Sequence, residues 1–423
     1  MPPRFPERRL NAVQCILLAA LAFLVPFPAH ADERRAVPDY DGRGDGGASA
    51  ALWIPRVLVA PLYLVWEYLV RVPIGAAVRG VEKNGAVSRA LHVATFGSAK
   101  SAGIAPTFLF DTDMLPAVGA YFWWDDALVD GNHVRIRAAT WGAPLVLASL
   151  SDRYDLDERS SVSLVASFAR RRDNVFYGLG PDAPDGARRR YRSRIADASA
   201  GFERELGLGI HLATRVGVRD VAFDERVVAS DYTLGYQRVA LAFDTRASGL
   251  RGSGLRLETT GEGSFASERR SWVTYGGSAH AFWDIGGSAR VLSLAGTLTF
   301  VDPIADGAVP FTELATLGGY ERMRGFLPGR MVDRSAASLT LAYRWPVWSF
   351  LDAGIEAAAG NVFGPRLRGL DAGKLRFSGA VGLRTLAIPE AELELLVGFG
   401  TATFADGMGL ESVRCILGAT HAF

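Results

Sequence analysis

Alternating apolar and polar residues are the feature that most constrains what this chain can form. One segment shows the pattern clearly, with five apolar side chains on one face: Leu339, Leu341, Tyr343, Trp345 and Val347. The other face carries Thr340, Ala342 and Arg344. A side-chain period of two is typical of a β-strand with one apolar and one polar face. Sixteen such segments can be placed between Ile104 and Phe423, and they predict an all-β fold, a 16-stranded antiparallel barrel.

Large charged residues occupy the minority face of several of these segments. Examples in two of the segments are His211, Arg215, Arg219, Arg376 and Arg384. A soluble sandwich also alternates, but its apolar face points into its own core. A charged inner face needs water to stay ionised. Together with an export signal at the start and a terminal aromatic, Phe423, the alternation predicts a transmembrane barrel, apolar outside and hydrated inside.

Connection lengths give an independent indication of topology. The longest connections contain residues 171–189 and 301–337, and both follow odd-numbered predicted strands. The short connections at residues 349–350 and 387–392 follow even-numbered ones. Because extracellular loops of bacterial barrels are longer than periplasmic turns, both ends of the barrel are expected in the periplasm.

Three segments precede the predicted barrel, which is expected to span residues 103–423. Residues 1–31 have the basic start, apolar core and small-residue cleavage site of an export signal. Residues 32–51 are charged and rich in glycine, and they predict a flexible linker. Residues 52–85 are helix-like and aromatic, and we interpret them as an amphipathic segment on the barrel or at the membrane interface. A transmembrane helix is the alternative for this segment.

Composition and motifs disfavour several functional classes. Cleavage of the signal removes three arginines and one glutamate and changes the formal charge from +1 to about −1, so no nucleic acid is expected as a partner. The histidines lack ligand spacing, and neither a metal nor another cofactor is expected. Asp111 and Asp113 are interpreted as a loop turn. The sequence lacks a G-x-S-x-G elbow, and no enzymatic activity is expected. Cys415 shares its face with Val413 and Leu417 and is expected to be inert.

Three short motifs follow one another towards the end of the chain. Arg324–Phe326 lies in a long loop, Tyr343–Pro346 lies in one predicted strand, and Leu351–Gly354 begins the next. In this order they resemble the motifs of the BamA/TamA-type superfamily of outer-membrane barrels (the bacterial surface antigen family), with Met323 in place of the usual valine. The resemblance covers Gly103 to Phe423 and implies a barrel whose long sixth extracellular loop folds inward. The stretch before the first strand is too short for a periplasmic POTRA domain beside the helical segment, so a barrel-only member is expected.

The predicted site is a lock between this loop and the barrel wall. Its residues are Arg324, Gly325, Phe326, Arg344, Asp352 and Glu356. Alternation alone places Asp352 and Glu356 on the lumenal face. The resemblance implies that Arg324 pairs with Asp352, with Glu356 as a second candidate, and that Phe326 packs against the inner wall. A solvated Arg324 is the alternative, although a guanidinium buried in a lumen needs a carboxylate partner.

The C-terminal strand is the second candidate site. Leu417 to Phe423 resembles the terminal assembly signal of outer-membrane barrels, which implies the barrel-assembly machinery as a partner through strand addition. Phe423 as an anchor in the periplasmic aromatic girdle is an additional interpretation. Outer-membrane lipids are expected around the barrel. A homo-oligomer contact or a protein partner is a hypothesis for residues 52–81.

Three functions are compatible with these features. The resemblance implies a role in the assembly or transport of polypeptide or lipid at the outer membrane, through a weak joint between the first and last strands. The first alternative is a passive or gated small-solute pore plugged by its own loop. The second alternative is a structural or partner-docking protein. Bilayer conductance and the folding rate of an added barrel distinguish the three.

Overall fold

The computed structural model describes residues 95–96, 101–224, 230–246, 252–285, 289–304, 307–348, 351–385 and 393–419. The predicted export signal, linker and helical segment lie outside the described residues, as does Phe423. The chain divides into two units, Met1–Thr95 and Phe96–Phe423, and the second unit contains the barrel. Within the described ranges, helices long and apolar enough to cross a membrane are absent.

Sixteen strands of the second unit form one closed antiparallel sheet, as the alternation predicts. They are β1 (Ala102–Asp111), β2 (Ala117–Asp125), β3 (Asn132–Thr140), β4 (Leu145–Asp157), β5 (Ser160–Phe176), β6 (Arg189–Gly207), β7 (Ile210–Phe223), β8 (Tyr232–Asp244), β9 (Gly254–Ala266), β10 (Ser271–Asp284), β11 (Val291–Pro303), β12 (Ser335–Trp348), β13 (Leu351–Phe363), β14 (Arg376–Thr385), β15 (Leu393–Thr403) and β16 (Leu410–Ala419). Each strand pairs with the next, and β16 pairs with β1.

The turn between β6 and β7 shows why one predicted boundary differs from the structure. Alternation predicts a strand that starts at Leu208, whereas β7 starts at Ile210. Leu208 has a φ of 54° and Gly209 a φ of 75°, both in the left-handed region. Two such residues between paired strands form the tight hairpin turn whose twist matches that of the strands. Leu208 therefore lies in the turn, outside the ladder.

Each strand presents one apolar face to the outside of the barrel. Leu339, Leu341, Val381 and Val397 are about half exposed, each in the middle of a strand. Neighbouring residues of opposite parity, such as Ser378, are buried. An outward band of exposed Leu, Val and Phe is what a barrel needs to face hydrocarbon.

The inner face differs in part from the hydrated lumen that the sequence predicts. One buried apolar cluster combines inward-facing wall residues with residues of the long loop between β11 and β12. Its wall members include Phe223, Tyr232, Leu234, Tyr236 and Trp272, and its loop members include Leu317, Met323, Phe326 and Met331. Wall and loop thus share a hydrophobic core inside the barrel, and burying this surface stabilises the docked loop.

Replacing Leu341 with arginine tests the outward face. Leu341 is about half exposed in the middle of β12, so the charge would enter the hydrocarbon and destabilise the barrel by about 2–4 kcal/mol. The measurement is urea-induced unfolding in liposomes. Thr260→Arg is the matched control, because Thr260 lies on the inward face of β9. Equal stability of Leu341→Arg and wild type would contradict the assignment of faces.

Candidate functional site

The loop between β11 and β12 contains one turn of 3-10 helix, Phe311–Glu313, which is called the shoulder below. The Phe311 ring lies 4.7 Å from the ring of Phe176 and 5.3 Å from the ring of Tyr191. Glu313 accepts hydrogen bonds from Arg219 at 3.1 Å and from the Tyr232 hydroxyl at 2.7 Å. Burial raises the pKa of the Glu313 carboxyl, and the nearby Arg219 opposes this rise. The shoulder is thereby tied to β5–β8.

Beyond this shoulder the loop forms a short antiparallel ribbon that carries the tip. Ala315–Leu317 pairs with Met331–Asp333. Residues 318–330 between them form the loop tip, the name used below for this segment. Met323, Arg324, Phe326 and Arg330 in the tip are all buried. The tip is therefore packed along much of its length.

The loop tip lies with its main chain directly against β14, β15 and β16. The Gly325 N–H donates to the Ser378 hydroxyl at 2.9 Å, and the Ser412 hydroxyl donates to the Gly325 carbonyl. A Cβ atom on Gly325 would lie 2.0 Å from the carbonyl oxygen of Phe399, so only glycine permits this approach. A Cβ atom on Gly400 would lie 2.4 Å from the Phe326 ring. Glycines on both sides thus allow the tip and the wall to touch.

Arg324 pairs with a carboxylate that the sequence analysis did not single out. Its Nη2 donates to Oε2 of Glu394 on β15, and both residues are buried. The resemblance implied Asp352 as the partner, and Asp352 lines the same cavity as Arg324. Asp352 is directly opposite Arg384 in the β13–β14 ladder. The hydrogen bond to Glu394 adds a carboxylate partner on β15 to the two candidates on β13, and the predicted pairing with Asp352 stays a prediction.

The other predicted lock residues surround Arg324. A cavity of about 100 Å³ is lined by Arg324, Arg344, Asp352, Glu356, Arg384 and Glu394, among others. Arg384 is opposite Asp352 on one side and Glu394 on the other, with its Nη2 3.8 Å from Glu394 Oε1. These six side chains comprise three arginines and three carboxylates. Such a balance limits the cost of burying charge inside the barrel.

A second arginine fixes the loop tip to the place where the barrel closes. Arg414 on β16 donates to Asp111 on β1, from Nε to Oδ1 at 2.8 Å and from Nη2 to Oδ2 at 2.6 Å. Its Nη1 donates to the main-chain carbonyls of Gly319, Arg324 and Phe326. Both members of this ion pair are at most 2% exposed. Arg414 therefore contacts β1 and the loop tip at the same time.

A third group of charges lies beside the base of the loop tip. Arg330 Nη2 donates to Oε2 of Glu411 at 2.9 Å, and Arg376 donates to the same oxygen. The Arg330 guanidinium also lies 4.7 Å from the centre of the Tyr177 ring. Burial beside Arg376 lowers the pKa of Arg330, and Glu411 opposes this effect. This cluster connects the loop tip to the β5–β6 connection and to β16.

The sequence carried a signal for one of these missed residues. Glu394 has the parity of Leu396 and Gly398 and so belongs to the face opposite the exposed Val397 and Phe399. Alternation alone therefore marks it as an inward carboxylate. Asp111, interpreted from sequence as part of a loop turn, becomes a partner of Arg414 only when the first and last strands meet.

Only the first part of the predicted C-terminal assembly signal lies within the described residues. Leu417 is 5% exposed and pairs with Phe110 of β1. Phe423 lies outside the described residues. Cys415 is half-buried, and its N–H donates to the Thr112 hydroxyl at 2.8 Å.

Solved structures match this chain although sequence comparisons do not. No protein-family model and no curated protein matches the sequence. BamA from Haemophilus ducreyi lacking POTRA domains 1–3 matches with a TM-score of 0.57 and 12% identity, over 75% of this chain and 70% of that one. CdiB from Acinetobacter baumannii (TM-score 0.50, 10% identity) and CdiB from Escherichia coli (0.52, 11%) each match over 74% of this chain.

These matches confirm the fold that the motifs indicate. The chain spans 59% and 62% of the two CdiB chains, which is less than two thirds of their length. At such low identity the likeness shows the architecture alone. The barrel has the BamA/TamA-type fold of bacterial outer-membrane proteins.

A double-mutant cycle tests the partner of Arg324. Arg324→Met leaves Glu394 buried without this cation and is expected to cost about 3–5 kcal/mol of stability, measured by urea unfolding in liposomes. The single variants Arg324→Met and Glu394→Gln each lose unfolding free energy. The sum of these two losses is expected to exceed the loss of the double variant by about 1–3 kcal/mol.

Asp352→Asn provides the matched comparison for this cycle. Combined with Arg324→Met, it is expected to show a smaller deviation from additivity than Glu394→Gln does. A larger deviation with Asp352→Asn would restore the partner implied by the motif resemblance and refute the pairing seen here.

Proposed function

We propose that this barrel assists the assembly or transport of polypeptide or lipid at the outer membrane by opening between β1 and β16. One observation carries the proposal. Among described residues the β1–β16 ladder consists of three residue pairs: Leu109↔Gly418, Phe110↔Leu417 and Asp111↔Ile416. The neighbouring β1–β2 and β15–β16 ladders have eight and nine. This joint, called the seam below, has fewer residue pairs than either neighbouring ladder within the part of the chain that the structure describes.

Local chemistry shapes the part of the seam that the structure describes. Gly418 has a φ of 135°, and a Cβ atom there would lie 2.1 Å from the carbonyl oxygen of Phe108, so β16 departs from regular strand geometry at this residue. Pro106 on β1 has no N–H to donate, and proline is tolerated mainly on strand edges. At the other end the Thr112 N–H donates to the Cys415 carbonyl at 3.0 Å, and the Cys415 N–H donates to the Thr112 hydroxyl at 2.8 Å. An edge that can release its partner strand suits the addition of a substrate strand.

The packed loop tip favours lateral opening over simple conduction. Met323 and Phe326 are buried in the cluster that joins the tip to the inner wall. Removing the tip from this cluster exposes apolar surface, and conduction through the lumen would require that removal. The resemblance to BamA/TamA-type barrels adds support, since that superfamily acts on polypeptides or lipids.

Further partners belong to the same proposal. The apolar outer band is suited to outer-membrane lipids. The C-terminal strand, with Leu417 in the seam, would engage barrel-assembly machinery by strand addition. Residues 52–81 would contact a protein partner or a second copy of the chain.

A reversible disulfide across the seam tests the proposal. Phe110→Cys and Leu417→Cys are directly opposite, and Cys415→Ser removes the competing thiol. In liposomes the reduced protein is expected to accelerate the folding of an added unfolded outer-membrane barrel. Oxidation should abolish the acceleration, because the strands can no longer separate, and reduction should restore it.

The matched control places the disulfide within an ordinary ladder. Ala120→Cys and Ala138→Cys are opposite each other in β2 and β3, and their oxidation should leave the acceleration unchanged. Equal acceleration by the oxidised and reduced seam variants would contradict lateral opening. No acceleration by any form, with conductance that rises when residues 319–333 are deleted, would support the pore instead.

A further inference from the structure

We propose that Arg414 is a latch that makes release of the loop tip and opening of the seam one coupled event. The proposal rests on the proposed function only in taking the seam as the part of the barrel that opens. It assigns a positioning role to Arg414, Asp111 and Tyr320, none of which belongs to the predicted lock. The three residues come from β16, β1 and the loop tip respectively.

The first half of the latch spans the seam. Arg414 and Asp111 are 303 positions apart in the chain and form a two-point ion pair with donor–acceptor distances of 2.8 and 2.6 Å. Paired, parallel hydrogen bonds of this kind are the strongest contacts that a guanidinium makes with a carboxylate. Among described residues, this ion pair adds to the three ladder pairs that join β16 to β1.

The second half of the latch holds the loop tip. One nitrogen of Arg414, Nη1, donates to the carbonyls of Gly319, Arg324 and Phe326, so the tip curls around the guanidinium. The Tyr320 hydroxyl donates to Oδ2 of Asp111 at 2.8 Å. The Tyr320 ring centre lies 4.7 Å from the Arg414 guanidinium carbon. The tip therefore contacts both members of the ion pair.

The surroundings make the two halves depend on each other. Tyr320 packs against a buried apolar cluster that includes Leu109, Leu145, Leu396 and Ile416, so little water is available to a separated charge. An arginine does not lose its proton in proteins. If β1 left while the tip stayed docked, Arg414 would be a buried cation without its carboxylate, which is strongly unfavourable.

The dependence also operates in the opposite direction. If the tip left while the seam stayed closed, Nη1 would lose three carbonyl acceptors and Asp111 would lose the Tyr320 hydroxyl. Because coupling between two equilibria is reciprocal, a docked tip favours a closed seam and a closed seam favours a docked tip to the same extent. A substrate that displaces the tip would thereby weaken the seam.

The test measures loop release in the seam-disulfide protein, without any substrate. The Phe110→Cys, Leu417→Cys, Cys415→Ser chain is placed in liposomes, and trypsin cleavage after the buried Arg324 is followed by mass spectrometry. Oxidation of the seam is expected to slow this cleavage by at least about fivefold relative to the reduced form. When Arg414→Met is added, the ratio of the two rates should fall to about one.

Two further variants keep the test decisive if Arg414→Met does not fold. Tyr320→Phe removes one hydrogen bond to Asp111 and should lower the ratio part of the way. The Ala120→Cys, Ala138→Cys disulfide should give a ratio of about one in a chain that retains Arg414. A ratio of about one with the seam disulfide, or a ratio that neither Arg414→Met nor Tyr320→Phe lowers, would overturn the latch. Because no substrate is used, a failed latch is distinguishable from a failed insertion or transport function.

Discussion

The rest of the structure depends on arginines that are buried in the barrel and cannot lose their charge. Arg324, Arg330, Arg376 and Arg414 are each at most 7% exposed, and each donates to a carboxylate. Breaking such a pair leaves an uncompensated charge in a poorly hydrated interior, which costs far more than losing a surface ion pair. The positions of the carboxylates on β1, β15 and β16 therefore determine where the loop tip lies.

Shape and charge together determine where the loop tip packs against the barrel wall. The ion pairs specify which wall strands the tip meets, while Gly325 and Gly400 remove the side chains that would hold main chain and ring apart. Phe326 and Met323 then extend the apolar core of the opposite wall across the lumen. The result is a barrel in which one loop packs against the inner wall and, through Arg414, contacts both closing strands.

Alternation was sufficient to predict the architecture, because a period of two assigns every residue to a face without knowledge of its neighbours. It placed Leu339 and Leu341 outside, and it gives Glu394 an inward parity. It could not choose between Asp352 and Glu394 as the partner of Arg324, since that choice depends on how far the tip extends around the wall. The Arg414–Asp111 pair could not be predicted from alternation for another reason. Its two residues lie at opposite ends of the barrel sequence and meet only when the barrel closes. The turn at Leu208 was missed because its left-handed backbone is uncommon for a leucine.

Burial of the loop tip in the membrane-embedded barrel is the claim on which the account depends, and thiol accessibility measures it most directly. Met323 is fully buried in the tip, whereas Glu321, two residues earlier, is exposed. In a Cys415→Ser background, Met323→Cys is predicted to resist a membrane-impermeant maleimide until the protein is unfolded, while Glu321→Cys reacts at once. Equal, rapid labelling of both positions in the folded barrel would show that the tip lies outside the wall and would contradict the account.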